Sequence, residues 1–303
     1  MIFVTGSSTL KRQGSGGFKE IDDVSIAAPL TKYSASVTDG SRIPEFVDRA
    51  YKIALSGYPG PVHLSVPVDI MFSSFEEDSQ RDERPFVRKA ESPPKAWPEP
   101  QRLQSILGEF EKSKKPMLIG GHGVWWGNAE KKLEEVGKTL KIPVYNIPYH
   151  QKLLPETSDA YMGLADIHQY PPSAKALEES DLVMMLGGRL DNQMNFGNPP
   201  LFPKNSRLIC INGSPEELEQ NRSADQILLS DPSAFLEALM DFGKSRTSKE
   251  RDEWYSLQKI LRQEWVESSL SELEQEGPEE LMMHPLRLAL EVQSVMNQND
   301  WLV

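Results

Sequence analysis

At 303 residues, with 33 Lys and Arg against 45 Asp and Glu, the chain carries a formal charge of -12. That balance, with no basic run interleaved with aromatic residues, excludes a nucleic-acid backbone as partner. No apolar stretch reaches the roughly 18 residues that a membrane span needs, and a single cysteine, Cys210, excludes an intrachain disulfide.

Met1 leads straight into apolar Ile2 to Val4 with no basic segment before it, so a signal peptide is not expected. The expected compartment is the reducing cytoplasm, with Cys210 a buried, inert thiol in the apolar run RLICI.

Ile2 to Val4 reads as a strand that runs into the turn-rich loop GSSTLKRQGSGG. Ile43, Phe46, Val47, Ala50, Tyr51 and Ala54 recur at helical spacing, and Gly57 is the expected stop. After YPGP, the residues Val62 to Val66 alternate as a half-buried strand closed by Pro67. Residues 1–75 therefore read as part of an α/β domain, and the charged, Pro-rich stretch 76–100 as a linker.

A second domain is expected over 101–243. Leu103, Ile106, Leu107 and Phe110 form one helix face, Pro116 to Gly121 a strand, Asn128 to Leu140 a helix, and Pro143 to Ile147 a strand. Ser173 to Glu179 is a helix leading into the wholly apolar strand Leu182 to Leu186. Strands at Arg207 to Ile211 and Ile227 to Leu229 follow, then a helix at Ser233 to Phe242. Apolar strands alternating with helices predict a doubly wound parallel sheet, here a central α/β domain flanked by partial α/β domains. Trp254, Leu257, Leu261, Trp265 and Leu273 mark a connecting helix within 244–283, expected to pack on its own domains. The last segment, 284–303, starts with a helix from Pro285 through Val295 and closes on the apolar strand Trp301 to Val303.

Three strand ends of the central domain carry ligand-type residues. In IGGHGVWWGN, Gly120, Gly121 and Gly123 lie between a strand and a helix, where exposed backbone amides favour an anion. The turn Gly187–Gly188–Arg189, with Asp191 after it, offers glycines for close backbone approach and a planar cation for phosphate or carboxylate. Its alternative is an Arg paired with a surface carboxylate. In INGSPEELEQNR, Ser214 is expected to cap a helix whose first residue is Pro215, with Glu217 completing the capping box. Met184 and Met185 read as core, and Trp125–Trp126 as either packing or stacking residues. The histidines at 63, 122, 150, 168 and 284 show no metal-ligand spacing, so neither a metal site nor a catalytic residue is assigned. Residue chemistry alone reaches a nucleotide-type pocket and no reaction.

Several stretches taken together resemble the thiamine-diphosphate-dependent enzymes of the acetolactate synthase and 2-hydroxyacyl-CoA lyase group. They are GGFKEID with LTK, LSGYPGPVHLSVPVDI, PMLIGGHGV, KIPVYNIPYHQKLLPETSDAYMG, DLVMMLGGRLDN, ICINGSPEELEQNRSAD and HPLRLALEVQ, in the family's order. The resemblance implies a three-domain subunit truncated at both ends: the C-terminal half of a pyrimidine-binding domain, a whole central domain and the start of a diphosphate-binding domain. It implies thiamine diphosphate and Mg²⁺ as cofactors, although the family's early glutamate and its GDG…N motif do not lie in these residues. The chain alone is accordingly expected to lack transferase or lyase activity.

For the central domain the resemblance implies FAD, as in the synthases, or an ADP or CoA moiety, as in the lyases. The matching positions are Gly120, Gly121, Gly123, Gly187, Gly188, Arg189, Asp191, Asn212, Glu216 and Asn221. The synthase pattern GARFDD is GGRLDN here, NFGNPP after it is closer to the lyase type, and Lys19 replaces a usual glutamine. The implied activity is carboligation or decarboxylation of a 2-keto acid. The alternatives are lysis of a 2-hydroxyacyl-CoA or oxalyl-CoA ester, or a non-catalytic nucleotide-binding or dimerisation module. The implied partners are a small-molecule 2-keto acid or acyl-CoA substrate and further copies of the chain in a homo-oligomer such as a homodimer.

Overall fold

The computed structural model describes residues 1–18, 20–74, 94–148, 152–199, 202, 206–246, 248–275 and 285–296. Most of the expected linker, the expected strand Trp301 to Val303, Lys19, His150 and His284 lie outside the described residues.

In the first sheet, β1 (Ile2–Ser7), β2 (Ser34–Ser36) and β3 (Val62–Pro67) pair parallel in the order β1-β3-β2. Helix α1 (Asp23–Ala27) precedes β2, α2 (Ile43–Leu55) precedes β3 and the single turn α3 (Val68–Met71) follows it. The middle strand β3 is buried at Val62, His63, Leu64 and Ser65 alike, as a parallel strand covered on both faces must be. The expected half-buried alternation is therefore not realised. Phe46, Ala50 and Ala54 of α2 pack against Val62 and Leu64 as their spacing predicts, whereas Val47 faces outward, 46 % exposed.

The second sheet holds β4 (Pro116–Gly120), β5 (Val144–Asn146), β6 (Tyr161–Leu164), β7 (Leu182–Leu186), β8 (Arg207–Asn212) and β9 (Gln226–Leu229). All are parallel, in the order β6-β5-β4-β7-β8-β9. The chain winds outward from β4 to β6, then returns to the other side of β4, so the topological switch falls between β4 and β7. In such sheets ligands lie outside the carboxyl ends of the strands at that switch.

Period-2 alternation along each buried strand supplies a core on each face. On one side Leu118, Leu182, Met184, Leu186, Ile209 and Ile211 meet the helices α4 (Pro100–Lys112), α6 (Glu130–Leu140) and α8 (Pro232–Gly243). On the other, Met117, Ile119, Val183, Met185, Leu208 and Cys210 meet α7 (Pro171–Glu179) and α9 (Lys249–Gln275). Met184 and Met185 are fully buried, on opposite faces.

The connecting helix packs on its own domain, as expected. Trp254 Nε1 donates to Pro116 O at 2.9 Å, and Tyr255 Oη to Asp159 O at 2.7 Å. Both acceptors precede or open strands, so α9 braces the amino edge of the sheet and leaves the carboxyl edge open. A short helix α5 (His122–Trp126) lies between β4 and α6, and α10 (Pro285–Val295) forms over the expected span. No helix among the described residues is long and apolar enough to cross a membrane.

Candidate functional site

The three expected ligand turns follow β4, β7 and β8, which are neighbours, so they share one rim of the sheet. At the switch point the two glycine turns pack backbone against backbone. Gly121 N donates to Leu186 O at 2.9 Å and Gly123 N to Gly187 O at 2.7 Å. These amides, expected to face an anion, are thus spent inside the chain.

A Cβ on Gly121 would stand 2.6 Å from Gly188 Cα, and one on Gly123 2.7 Å from Gly187 Cα. Gly120 and Gly188 are closed by side chains instead, with Leu153 Cδ1 at 2.6 Å and Ile147 Cδ1 at 2.2 Å from the corresponding Cβ positions. Gly187 also has φ +65°, which disfavours a side chain. These glycines make the rim thin, and the open space lies beside them.

That space is a cleft of about 290 Å³ between the two sheets' domains. Gly57, Tyr58 and Pro59 from the turn before β3 form one wall, and Gly123, Trp126 and Asn128 another. Asn212 at the end of β8, Gly213 and Ser214 after it, and Asp231 after β9 form the floor. The expected Ser214 helix cap is corrected by the structure: Pro215–Glu217 is a single 3₁₀ turn, and the Ser214 side chain makes no capping bond. Asn212 Oδ1 accepts from Ser214 N at 3.1 Å instead, which fixes the carboxamide. Asn212 Nδ2 is left buried with no hydrogen-bond partner, while the Ser214 hydroxyl lies beside the Glu216 carboxylate and helps to hold it below its usual range. An orphaned polar group of this kind costs about 1–3 kcal/mol, part of which a ligand atom reaching it would recover.

Two domains grip the cleft together. Tyr58 N donates to Glu216 Oε1 at 3.2 Å, and Tyr58 Oη lies 3.0 Å from His122 Nδ1. The Glu216 carboxyl is held below its usual range, first by its own backbone N–H and then by that of Tyr58. Burial raises the Tyr58 phenol, which keeps its proton as a donor.

Arg189, on the turn after β7, pairs with Glu217 Oε2 at 3.5 Å and donates to Gln220 Oε1 at 3.2 Å. Asp191 accepts from Gln193 N at 3.1 Å and so caps the turn Asn192–Gly197. Asn221, at φ +71°, donates from Nδ2 to Leu190 O at 2.6 Å and ties the turn after β8 to the turn after β7. Of the residues singled out in the sequence, Gly123 and Asn212 line the cleft and Glu216 closes its domain junction, while Arg189, outside the lining, acts through its charge on the lining Tyr58. Tyr58, Trp126, Ser214 and Asp231 join them without having been chosen as ligands; Trp126 alone carried a signal, as an exposable aromatic after a glycine turn. No group of three or more His, Cys, Asp or Glu suited to a metal occurs among the described residues.

A doubly wound parallel sheet with a cleft at its carboxyl rim is the place where α/β domains of this architecture take their ligands. Residues 103–239 match the family described as thiamine pyrophosphate enzyme, central domain. The chain thus carries the central domain of that family. It is 32 % identical over 247 residues to the acetolactate synthase large subunit of Lactococcus lactis, covering 82 % of this chain and 42 % of that protein. It is 28 % identical over 225 residues to the 2-hydroxyacyl-CoA lyase of Arabidopsis thaliana, covering 72 % of this chain and 37 % of that one. The benzoylformate decarboxylase of Polynucleobacter necessarius shares the fold, with TM-score 0.68 at 20 % identity over 82 % of this chain and 45 % of that chain. The chain thus spans less than half the length of these relatives.

Proposed function

We propose that this chain supplies the nucleotide-holding central domain of a thiamine-diphosphate-dependent carboligase acting on a 2-keto acid, similar to an acetolactate synthase. The observation that carries the nucleotide part is the orphaned Asn212 Nδ2 on the floor of a cleft flanked by the aromatic rings of Tyr58 and Trp126, with the Ser214 hydroxyl beside it. A purine offers a face to stack and ring nitrogens to accept, which is the chemistry those groups lack. In this reading Gly120, Gly121, Gly123, Gly187 and Gly188 shape the rim, Asp191 and Asn221 position its turns, and Glu216 holds the wall. Arg189 faces the phosphate end of FAD, ADP or CoA. A volume of about 290 Å³ suits a nucleoside-sized portion rather than a whole dinucleotide.

Among the described residues no group of three or more His, Cys, Asp or Glu suits Mg²⁺, so no step through the thiamine cofactor is derived from them. The 2-hydroxyacyl-CoA lyase type is the second reading, supported by NFGNPP after the Arg189 turn and by the similarity to the plant lyase. Assembly with further copies of the chain is part of the proposal, in line with exposed Phe3 and Val4 on β1. Equilibrium dialysis of the chain against FAD, ADP and CoA tests the nucleotide part. Binding of at least one, lost in Asn212→Leu, is expected; no binding of any of the three overturns it. Assays of acetolactate formation and of 2-hydroxyacyl-CoA cleavage, with the remaining segments of a relative supplied, separate the two readings.

A further inference from the structure

The charges around the cleft are paired before any ligand arrives. Lys95 Nζ stands 3.3 Å from Asp231 Oδ1. Lys32 donates to the carbonyls of Ser56 and Tyr58 and lies in the field of Glu216. Arg189 has Glu217 at 3.5 Å and Gln220 at 3.2 Å. Glu217 is the unusual member of this set. Its residue is only 8 % exposed, while the Arg189 side chain is 46 % exposed. A buried carboxylate is thus turned toward a solvent-reaching cation. Tyr58 shares their corner: its phenol is raised by burial and by the Glu217 charge, and pulled back by Arg189.

We propose that Glu217 is an internal counter-anion that occupies Arg189 until a nucleotide phosphate displaces it, so that the cleft discriminates among nucleotides by charge as well as by shape. This rests on the nucleotide reading above. Both contacts of Arg189 are long for charge-assisted hydrogen bonds, which run to about 2.7–2.9 Å, so a phosphate taking two guanidinium donors would bind the cation better than its present partners do. The opposing term is Glu217 itself. Once displaced, its carboxylate stays beside the incoming phosphate in a poorly solvated corner, and like charges there repel strongly. That penalty falls on a charged nucleotide and spares an uncharged nucleoside. Replacing the carboxylate by its isosteric amide removes the repulsion and frees the cation.

Calorimetric titration of the full chain with ADP and with adenosine tests this, using wild type, Glu217→Gln, Arg189→Ala and the double variant. Thermal melts confirm that each variant is folded. Glu217→Gln is expected to tighten ADP roughly tenfold and adenosine less than about twofold, with the ADP gain absent when Arg189 is Ala. Equal gains for both ligands, or a gain that persists without Arg189, overturn the counter-anion while leaving the nucleotide reading intact. Failure of both ligands to bind any variant overturns the nucleotide reading, and the counter-anion with it.

Discussion

Replacing Gly121 by Ala adds one methyl group at the point where the rim is thinnest. The new Cβ would face Gly188 Cα at 2.6 Å, Gly187 O at 2.7 Å and Gly188 N at 2.9 Å. All three are backbone atoms, so no rotamer change relieves the contact and the two turns must part. Parting them stretches the bonds from Gly121 N to Leu186 O and from Gly123 N to Gly187 O. Overpacking costs about 1–3 kcal/mol, and a purely backbone clash belongs at the top of that range. At this domain size about 3 kcal/mol lowers Tm by roughly 6–12 °C. Gly121 has φ −121°, open to any residue, so the loss is steric and not conformational. Gly108→Ala is the matched control: it lies inside α4 with nothing within 4 Å of its Cβ position. There the change gains about 0.5–1 kcal/mol of helix stability. Melting both variants by far-ultraviolet circular dichroism should move Tm in opposite directions. A Gly121→Ala protein as stable as wild type would refute the backbone packing of the two turns.

Arg251 is 2 % exposed and donates to the carbonyls of Phe110, Glu111, Ser113 and Arg246, capping the end of α4. Arg251→Met should cost about 3 kcal/mol or more in urea unfolding, and Arg251→Lys should recover only part, because one ammonium cannot span that fork. The Cys210 thiol is pushed up to about 11, mainly by burial. It should therefore resist a thiol reagent at neutral pH in the native protein and react on denaturation; fast native labelling would contradict its burial. The depressed Glu216 carboxyl contributes stability that is present above its ordinary value of 4.5 and is lost as pH falls through the lowered folded value. Urea midpoints should thus fall less steeply on acidification in Glu216→Gln than in wild type; parallel curves would remove Glu216 from the junction.

The central sheet was legible wherever a strand is a continuous apolar run, as at Leu182 to Leu186. β6 was not. Its four residues include Gly163 at φ +113°, packed under the Tyr170 ring, and its pairing with β5 shifts register at Val144/Tyr145. Nothing local signals a strand that tertiary contacts alone make extended. The five-residue α5 is equally hidden, because its Gly123 and the Gly121 before it serve contacts with the neighbouring turn, not helix formation. The glycine turns were visible as a set, and the amides of Gly121 and Gly123, expected to face an anion, donate instead to Leu186 O and Gly187 O. Ser214 gave the signature of a helix cap and became the buried floor of a cleft. The wall from Tyr58 could not be read at all, since its bond to Glu216 spans 158 positions.

Crystallising the full chain with ADP tests the central claim most directly. The account predicts electron density for the base in the cleft lined by Tyr58 and Trp126, with an acceptor atom within hydrogen-bond distance of Asn212 Nδ2. Density at any other place, or an Asn212 still unpartnered beneath bound ADP, would contradict it.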